Sequence, residues 1–264
     1  MDDLDKKNID NYITLADALF ERANKLENID ICKKDKDAAA FFNELKLESY
    51  DHCIQAWTGI LNFLPFSPID QSRKKELTRD AHKVISRCYQ RLDNLESARL
   101  HIVKAIDNGY LAGFISLGAI SMKLEKYQDA EDAFKSAILK DSMASRAYAG
   151  LGELYFALGT EALKKDPAHK EYFKKAEDAF IKAGKERFTD SFERAIDLFE
   201  RVGLKDRALS VGESAVTFYE QHKNSYGEKL RSLDRSIRKV AGDKKHDKLV
   251  KEVGSKLRKI LDKK

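Results

Sequence analysis

The chain has 264 residues, 42% of them hydrophobic and 35% charged, with only three prolines and one tryptophan. So few helix breakers over that length favour helices over a many-stranded β fold, and no run of about 18 apolar residues is present to cross a membrane. The net charge of +5 hides an asymmetry: residues 223–264 carry 15 Lys and Arg against 6 Asp and Glu, whereas the preceding residues carry 34 against 38, so a mildly acidic body is joined to a strongly basic tail.

Residues 11–26 read as a helix whose apolar face is Ile13, Ala16, Leu19, Phe20 and Ala23, spaced by three and four. A polar connection over 27–37 follows. A second helix over 38–63 carries Phe41, Leu45, Tyr50, Cys53, Trp57, Ile60 and Leu61, and Pro65 to Pro68 end it. Ser67 before Pro68 is expected to cap the next helix, because serine caps and proline fits the first turn. That helix is expected to reach about Leu92.

A repeat then becomes visible. Ile85, Ser86, Tyr89, Ala98, Ile102 and Ala105 recur 32 residues later as Leu117, Gly118, Ser121, Ala130, Phe134 and Ala137. A third copy opens at Ser145 in the same phase, with Tyr148, Leu151, Gly152 and Tyr155, but its second half, Ala176, Phe180 and Ala183, arrives 12 residues late. The delay predicts two lengthened helices, 145–165 and 167–184, with Pro167 opening the second. A weaker fourth copy spans 189–222, where Gly212 stands in place of a large apolar residue. A period of this length is the signature of a solenoid.

This pattern resembles the tetratricopeptide repeat (TPR), and the segment 126–137 carries the closest match. The small residues at the three fixed positions are Ser86, Ala98 and Ala105, then Gly118, Ala130 and Ala137, then Gly152, Ala176 and Ala183. Helices of a hairpin approach closely only where side chains are small. The resemblance implies an all-α, right-handed α-solenoid. Its expected parts are an irregular N-terminal helical hairpin at 1–66, repeats at 67–222 (about 79–110, 111–144, 145–188 and 189–222) and a basic C-terminal helical cap or tail at 223–264.

The resemblance also implies a groove lined by the first helix of each repeat. Carried onto this chain, its partner-binding residues are Lys83, Arg87, Arg91, Ile115, Met122, Arg146 and Phe156, a row that runs from cationic to apolar. The fourth unit continues it with the acidic Asp190, Glu193, Asp197 and Glu200. An acidic and apolar peptide would complement the first part, with arginine holding carboxylates in bidentate fashion. The lysine–asparagine–arginine clamp of some family members is not reproduced: Arg87 and Ser116 replace its asparagines, Arg146 its second lysine and Gly150 its arginine.

No phosphate loop, dinucleotide fingerprint, HExxH or GxSxG motif occurs. His52 and Cys53 are neighbours on a helix and point about 100° apart, so they do not form a base–nucleophile pair, and Cys53 is expected in the core beside Trp57. The cysteines Cys32, Cys53 and Cys88 form no CxxC pair, which argues against a disulfide framework or a zinc site. The charged first residues lack an apolar stretch, so no secretory signal is expected, and a reducing cytoplasm is the expected location. The expected function is a non-catalytic protein–protein interaction adaptor or scaffold, with a protein or peptide ligand and no cofactor or metal. The alternative is a regulator that meets nucleic acid or an anionic surface through its basic tail. The apolar stripes at 230–240 and 249–261 fit a capping role instead.

Overall fold

The computed structural model describes residues 3–27, 36–140, 143–163, 167–186, 188–222, 227–240, 251 and 253–256. Every regular element among them is helical. In chain order they are α1 (Asp3–Glu27), α2 (Lys36–Phe63), a 3-10 turn (Leu64–Phe66), α3 (Gln71–Arg91), α4 (Leu95–Asp107), α5 (Gly113–Lys123), α6 (Tyr127–Leu139), α7 (Ala144–Ala162), α8 (His169–Lys185), α9 (Asp190–Arg201), α10 (Lys205–Gln221) and α11 (Gly227–Val240). They fall into two compact units, Met1–Lys126 and Tyr127–Lys264, a division that lies within the 111–144 repeat. The expected connection at 28–35, the tip at 164–166 and most of the 249–261 stripe lie outside the described residues.

In the first unit each helix packs on the next in chain order, as in a solenoid of hairpins. Ile9, Ala16 and Ala23 of α1 share one core with Tyr50, Cys53 and Trp57 of α2 and with Leu77, Ala81, Ile85 and Cys88 of α3. Ala98, Ile102 and Ala105 of α4 meet Ile120 of α5. Each large aliphatic or aromatic side chain buried this way contributes about 1.5–3 kcal/mol. The entry to α3 differs from expectation. Ser67 is buried, and its hydroxyl donates to the Leu64 carbonyl at 2.8 Å. The cap is instead Asp70, whose carboxylate accepts from the Arg73 N–H at 2.9 Å. With its hydroxyl spent inside the 3-10 turn, Ser67 has nothing left to cap a helix.

The repeat is also written in the backbone. The first helices of three units end in the same turn: Asp93, Glu125 and Gly203 adopt positive φ of 57°, 58° and 76°. The next residue's N–H then reaches back five residues, from Asn94 to Tyr89, Lys126 to Ser121 and Leu204 to Phe199, at 2.8–2.9 Å. This is the six-to-one bond of a Schellman cap. The fourth unit, weak in side chains, is thus a full repeat in its turn. In the third unit the first helix continues to Ala162, giving α7 19 residues against 11 in α5.

In the second unit the helices again pack in chain order from α6 to α11. Phe173 and Phe180 of α8, Phe192 and Phe199 of α9, and Leu209, Val216 and Tyr219 of α10 form its core. Helix α11 closes this unit, packing on α9 and α10 with Leu233, Ile237 and Val240 buried. Gly212 accounts for the fit: a Cβ there would stand 3.2 Å from Ile237 Cγ1. The residue that weakens the fourth repeat is the one that seats the capping helix. Val253, beyond α11, joins the same core.

Close approach at small residues predicts opposite outcomes for two glycine-to-alanine changes. A Cβ at Gly152 would lie 2.7 Å from the ring of the buried Phe180, whereas one at Gly59 in α2 would meet nothing within 4 Å. Overpacking costs about 1–3 kcal/mol against a helix-propensity gain of about 1 kcal/mol. Gly152→Ala is therefore expected to lower stability by up to about 2 kcal/mol and Gly59→Ala to raise it by up to about 1 kcal/mol, read by chemical denaturation. A stabilising Gly152→Ala would refute the packing.

Candidate partner-binding surface

In the first unit, α3 brings Lys83, Arg87 and Arg91 onto one stripe, since four-residue steps return to nearly the same face. Arg87 and Arg91 are exposed. Lys83 is held: its Nζ lies 4.0 Å from the Asp80 carboxylate and 5.5 Å from the centre of the Tyr110 ring. Helix α1 adds acidic groups beside it. Burial, with the Glu21 and Asp80 carboxylates, pushes the Asp17 carboxyl above its ordinary range, and Lys83 pulls against them. The sequence row omitted α1, so it missed Asp17 and Glu21. Both lie on the border of the apolar stripe of α1, and that border was the available signal. On α5, Ile115 and Met122 are seven residues apart and share a face. Both are half-buried, and neither is among the residues packed on the Ala98–Ile120 core.

In the second unit, α7 carries Arg146, exposed, and Phe156, half-buried. The Phe156 ring sits 5.7 Å from Phe173 and 5.6 Å from Phe199, tilted or edge-on to each. Such aromatic contacts commit much of the ring to packing. Across from it, Arg194 of α9 reaches Glu153 of α7 at 3.1 Å. The acidic row of α9 is taken by the chain's own tail. Lys229 pairs with Asp190, the Ser232 hydroxyl donates to Glu193 at 2.6 Å, and Lys239 approaches Asp197 at 3.9 Å.

The nine small positions are all buried. The Ser86 hydroxyl, on the first helix of its unit, donates to the carbonyl of Ala98 on the second at 2.8 Å. The hairpins are TPR-like. No protein-family model and no curated protein matches the chain. Solved structures do. MamA is 19% identical, with a TM-score of 0.46 over 74% of this chain and 98% of that one. TTC0263, a thermophilic TPR protein of Thermus thermophilus, is 16% identical, with a TM-score of 0.44 over 68% of this chain and 99% of that one. YrrB, described as a TPR protein with an unusual peptide-binding site, is 18% identical, with a TM-score of 0.41 over 77% and 93%.

Of the residues that looked superficially reactive, the cysteines are packed in the core. His52 is exposed, whereas Cys53 is buried beside Trp57 and its thiol lies 3.5 Å from the Ala16 carbonyl. A hydrogen bond with Cys53, together with burial, holds the Cys88 thiol protonated by raising its pKa, which leaves little thiolate to react. Among the described residues no group of three His, Cys, Asp or Glu side chains could hold a metal ion. No described helix is long and apolar enough to cross a membrane.

The geometry of the cap predicts which of its contacts matter. Ile237 is 1% exposed, and truncating a buried isoleucine costs about 2–5 kcal/mol. The Lys239–Asp197 pair is solvent-exposed on both sides, and such pairs contribute about 0–1 kcal/mol. Ile237→Ala is expected to destabilise the second unit several-fold more than Asp197→Ala in urea titrations. Comparable losses would make the cap electrostatic.

Proposed function

We propose that the chain is a non-catalytic protein–protein interaction adaptor that takes a peptide or helix of a partner on the first-helix faces of its repeats. The observation that carries this reading lies within the first unit. Arg87 and Arg91 are exposed on α3, and Ile115 and Met122 stay half-open on α5, outside the Ala98–Ile120 core. Arginine side chains hold carboxylates in bidentate geometry, and methionine adapts to varied apolar side chains. The ligand that matches is therefore an acidic segment with apolar side chains. Arg146 is the corresponding exposed cation of the second unit, and Phe156 offers one partly open ring edge. A surface built on packed hairpins is formed before the partner arrives, which lowers the ordering cost of binding.

The basic tail supports the adaptor reading more than the nucleic-acid one within its described part. Lys229 and Lys239 are paired with α9 and Arg238 with Asp234 of its own helix, at 2.7 Å for the last. These pairings support a capping role.

The test is capture from native extract with the full chain after nuclease treatment, in parallel with an Arg87→Glu, Lys83→Gln variant. Lys83 is neutralised and not reversed, because a glutamate there would join Asp17 and Asp80. Arg87 is exposed, and Lys83, half-buried, gives up only a partly exposed ion pair worth about 0–1 kcal/mol. The expected result is a discrete protein retained by the parent and lost from the variant at unchanged melting temperature. Partners lost on nuclease treatment would establish the nucleic-acid reading instead.

A further inference from the structure

On the first unit, α2, the 3-10 turn, α3 and α4 enclose an open cavity of about 720 Å³. Leu61 and Leu64 are among its apolar lining residues, and Lys74, Thr78, His82, His101 and Lys104 among its polar ones. No carboxylate lines it, and the polar residues that α2 adds, Thr58 and Asn62, are neutral. Neither lysine is ion-paired among the described residues. Lys74 spends one N–H on the Pro65 carbonyl at 3.2 Å, and an ammonium has two more.

The two histidines make the place unusual. His82 Nδ1 and His101 Nδ1 lie 3.1 Å apart, with the rings edge to face and Tyr89 beyond them. A bond between two Nδ1 atoms requires one N–H and one lone pair, so the pair cannot carry a proton on both. Burial, then the charges of His101 and Lys104, push the His82 imidazole down to about 4, and burial with Lys104 lowers His101 too. Every charged neighbour acting on either imidazole is cationic, so the cavity is an electropositive site without an anion.

We propose that this cavity binds a small phosphate monoester, with its phosphate between Lys74, Lys104 and the His82–His101 pair and its organic part on Leu61 and Leu64. Phosphate oxygens accept charge-assisted hydrogen bonds from ammonium groups, which are about twice as strong as neutral ones. A bound dianion also reverses the field at the imidazoles and favours their charged form. One histidine then takes up a proton as the ligand binds, at the Nε2 of the ring that donates, so the Nδ1 contact keeps its one N–H and one lone pair.

The test is calorimetric titration of the full chain with phenyl phosphate at pH 7, in two buffers of different ionisation enthalpy, with inorganic phosphate as a second probe. The expected result is one saturable site, proton uptake on binding, and weaker binding of inorganic phosphate because it lacks the organic group. Lys104 is exposed, so Lys104→Gln leaves the fold intact. It is expected to weaken phenyl phosphate at least ten-fold, while Arg87→Gln leaves it unchanged. Absence of saturation at millimolar ligand, or equal affinity for Lys104→Gln, would overturn the site. A phosphoserine peptide that saturates the same site at lower concentration than phenyl phosphate would overturn the small-molecule ligand in favour of a phosphorylated protein segment.

Discussion

Near-contact between paired helices at small residues is the constraint on which the rest of the molecule depends. Where Ser86 meets Ala98, the side chain is short enough for its hydroxyl to reach the partner helix's backbone. Where Gly152 meets Phe180, there is no room for a methyl group. Fixing two helices this close decides what stands on either side. Large residues such as Ile85, Ile102 and Phe134 must fill the remaining wedge, and all three are buried. The turn joining the helices is constrained as well, which is why one left-handed residue recurs at Asp93, Glu125 and Gly203. Two of the three are not glycine, and a non-glycine residue there costs about 1–2 kcal/mol. The cost is accepted because the hairpin geometry over-determines the turn. In the third unit both helices are longer, and its small positions remain buried.

The α9–α10 hairpin has an apolar face that needs a cover. Helix α11 covers it with Leu233, Ile237 and Val240, and Gly212 lets it approach. Charge follows the same logic. The acidic α9 faces the basic α11, so part of the charge difference between body and tail is an internal complement within this unit. Exposed pairs of this kind add little energy. They favour one seating of α11 over others, because a shift along α9 would set Lys229 or Lys239 away from its carboxylate.

Local signals were legible in the sequence and long-range ones were not. The lengthening of α7 and α8, the phase of the repeats and the burial of all nine small positions follow from spacing alone, because helix periodicity is a property of neighbouring residues. The cap of α3 was misread because two capping candidates, Ser67 and Asp70, lie three residues apart, and the choice depends on a 3-10 turn that consumes the serine. Asp17 beside Lys83 joins residues 66 positions apart, and the His82–His101 contact joins neighbouring helices. No periodicity encodes such meetings. Phe156 shows a related difficulty. Its place on the first-helix face was readable, but its commitment to Phe173 and Phe199 depends on where α8 and α9 pass.

Helix α3 shows how one element serves several purposes without conflict. Ala81, Val84, Ile85 and Cys88 face the core. Thr78 and His82 turn to the cavity shared with α2 and α4, and Lys83, Arg87 and Arg91 form the stripe offered to a partner. His82 and Lys83 are adjacent in sequence, yet successive helix positions diverge by about 100°. A ligand at the histidine pair and a peptide at the arginines therefore touch different faces of one rigid rod. Coupling between two sites needs an element with two discrete arrangements that both sites bias. On α3 the His82–His101 bond is a contact of that kind, since it persists only while one of the two Nδ1 atoms is unprotonated; with the Ser86 hydroxyl on the Ala98 carbonyl it ties α3 to α4.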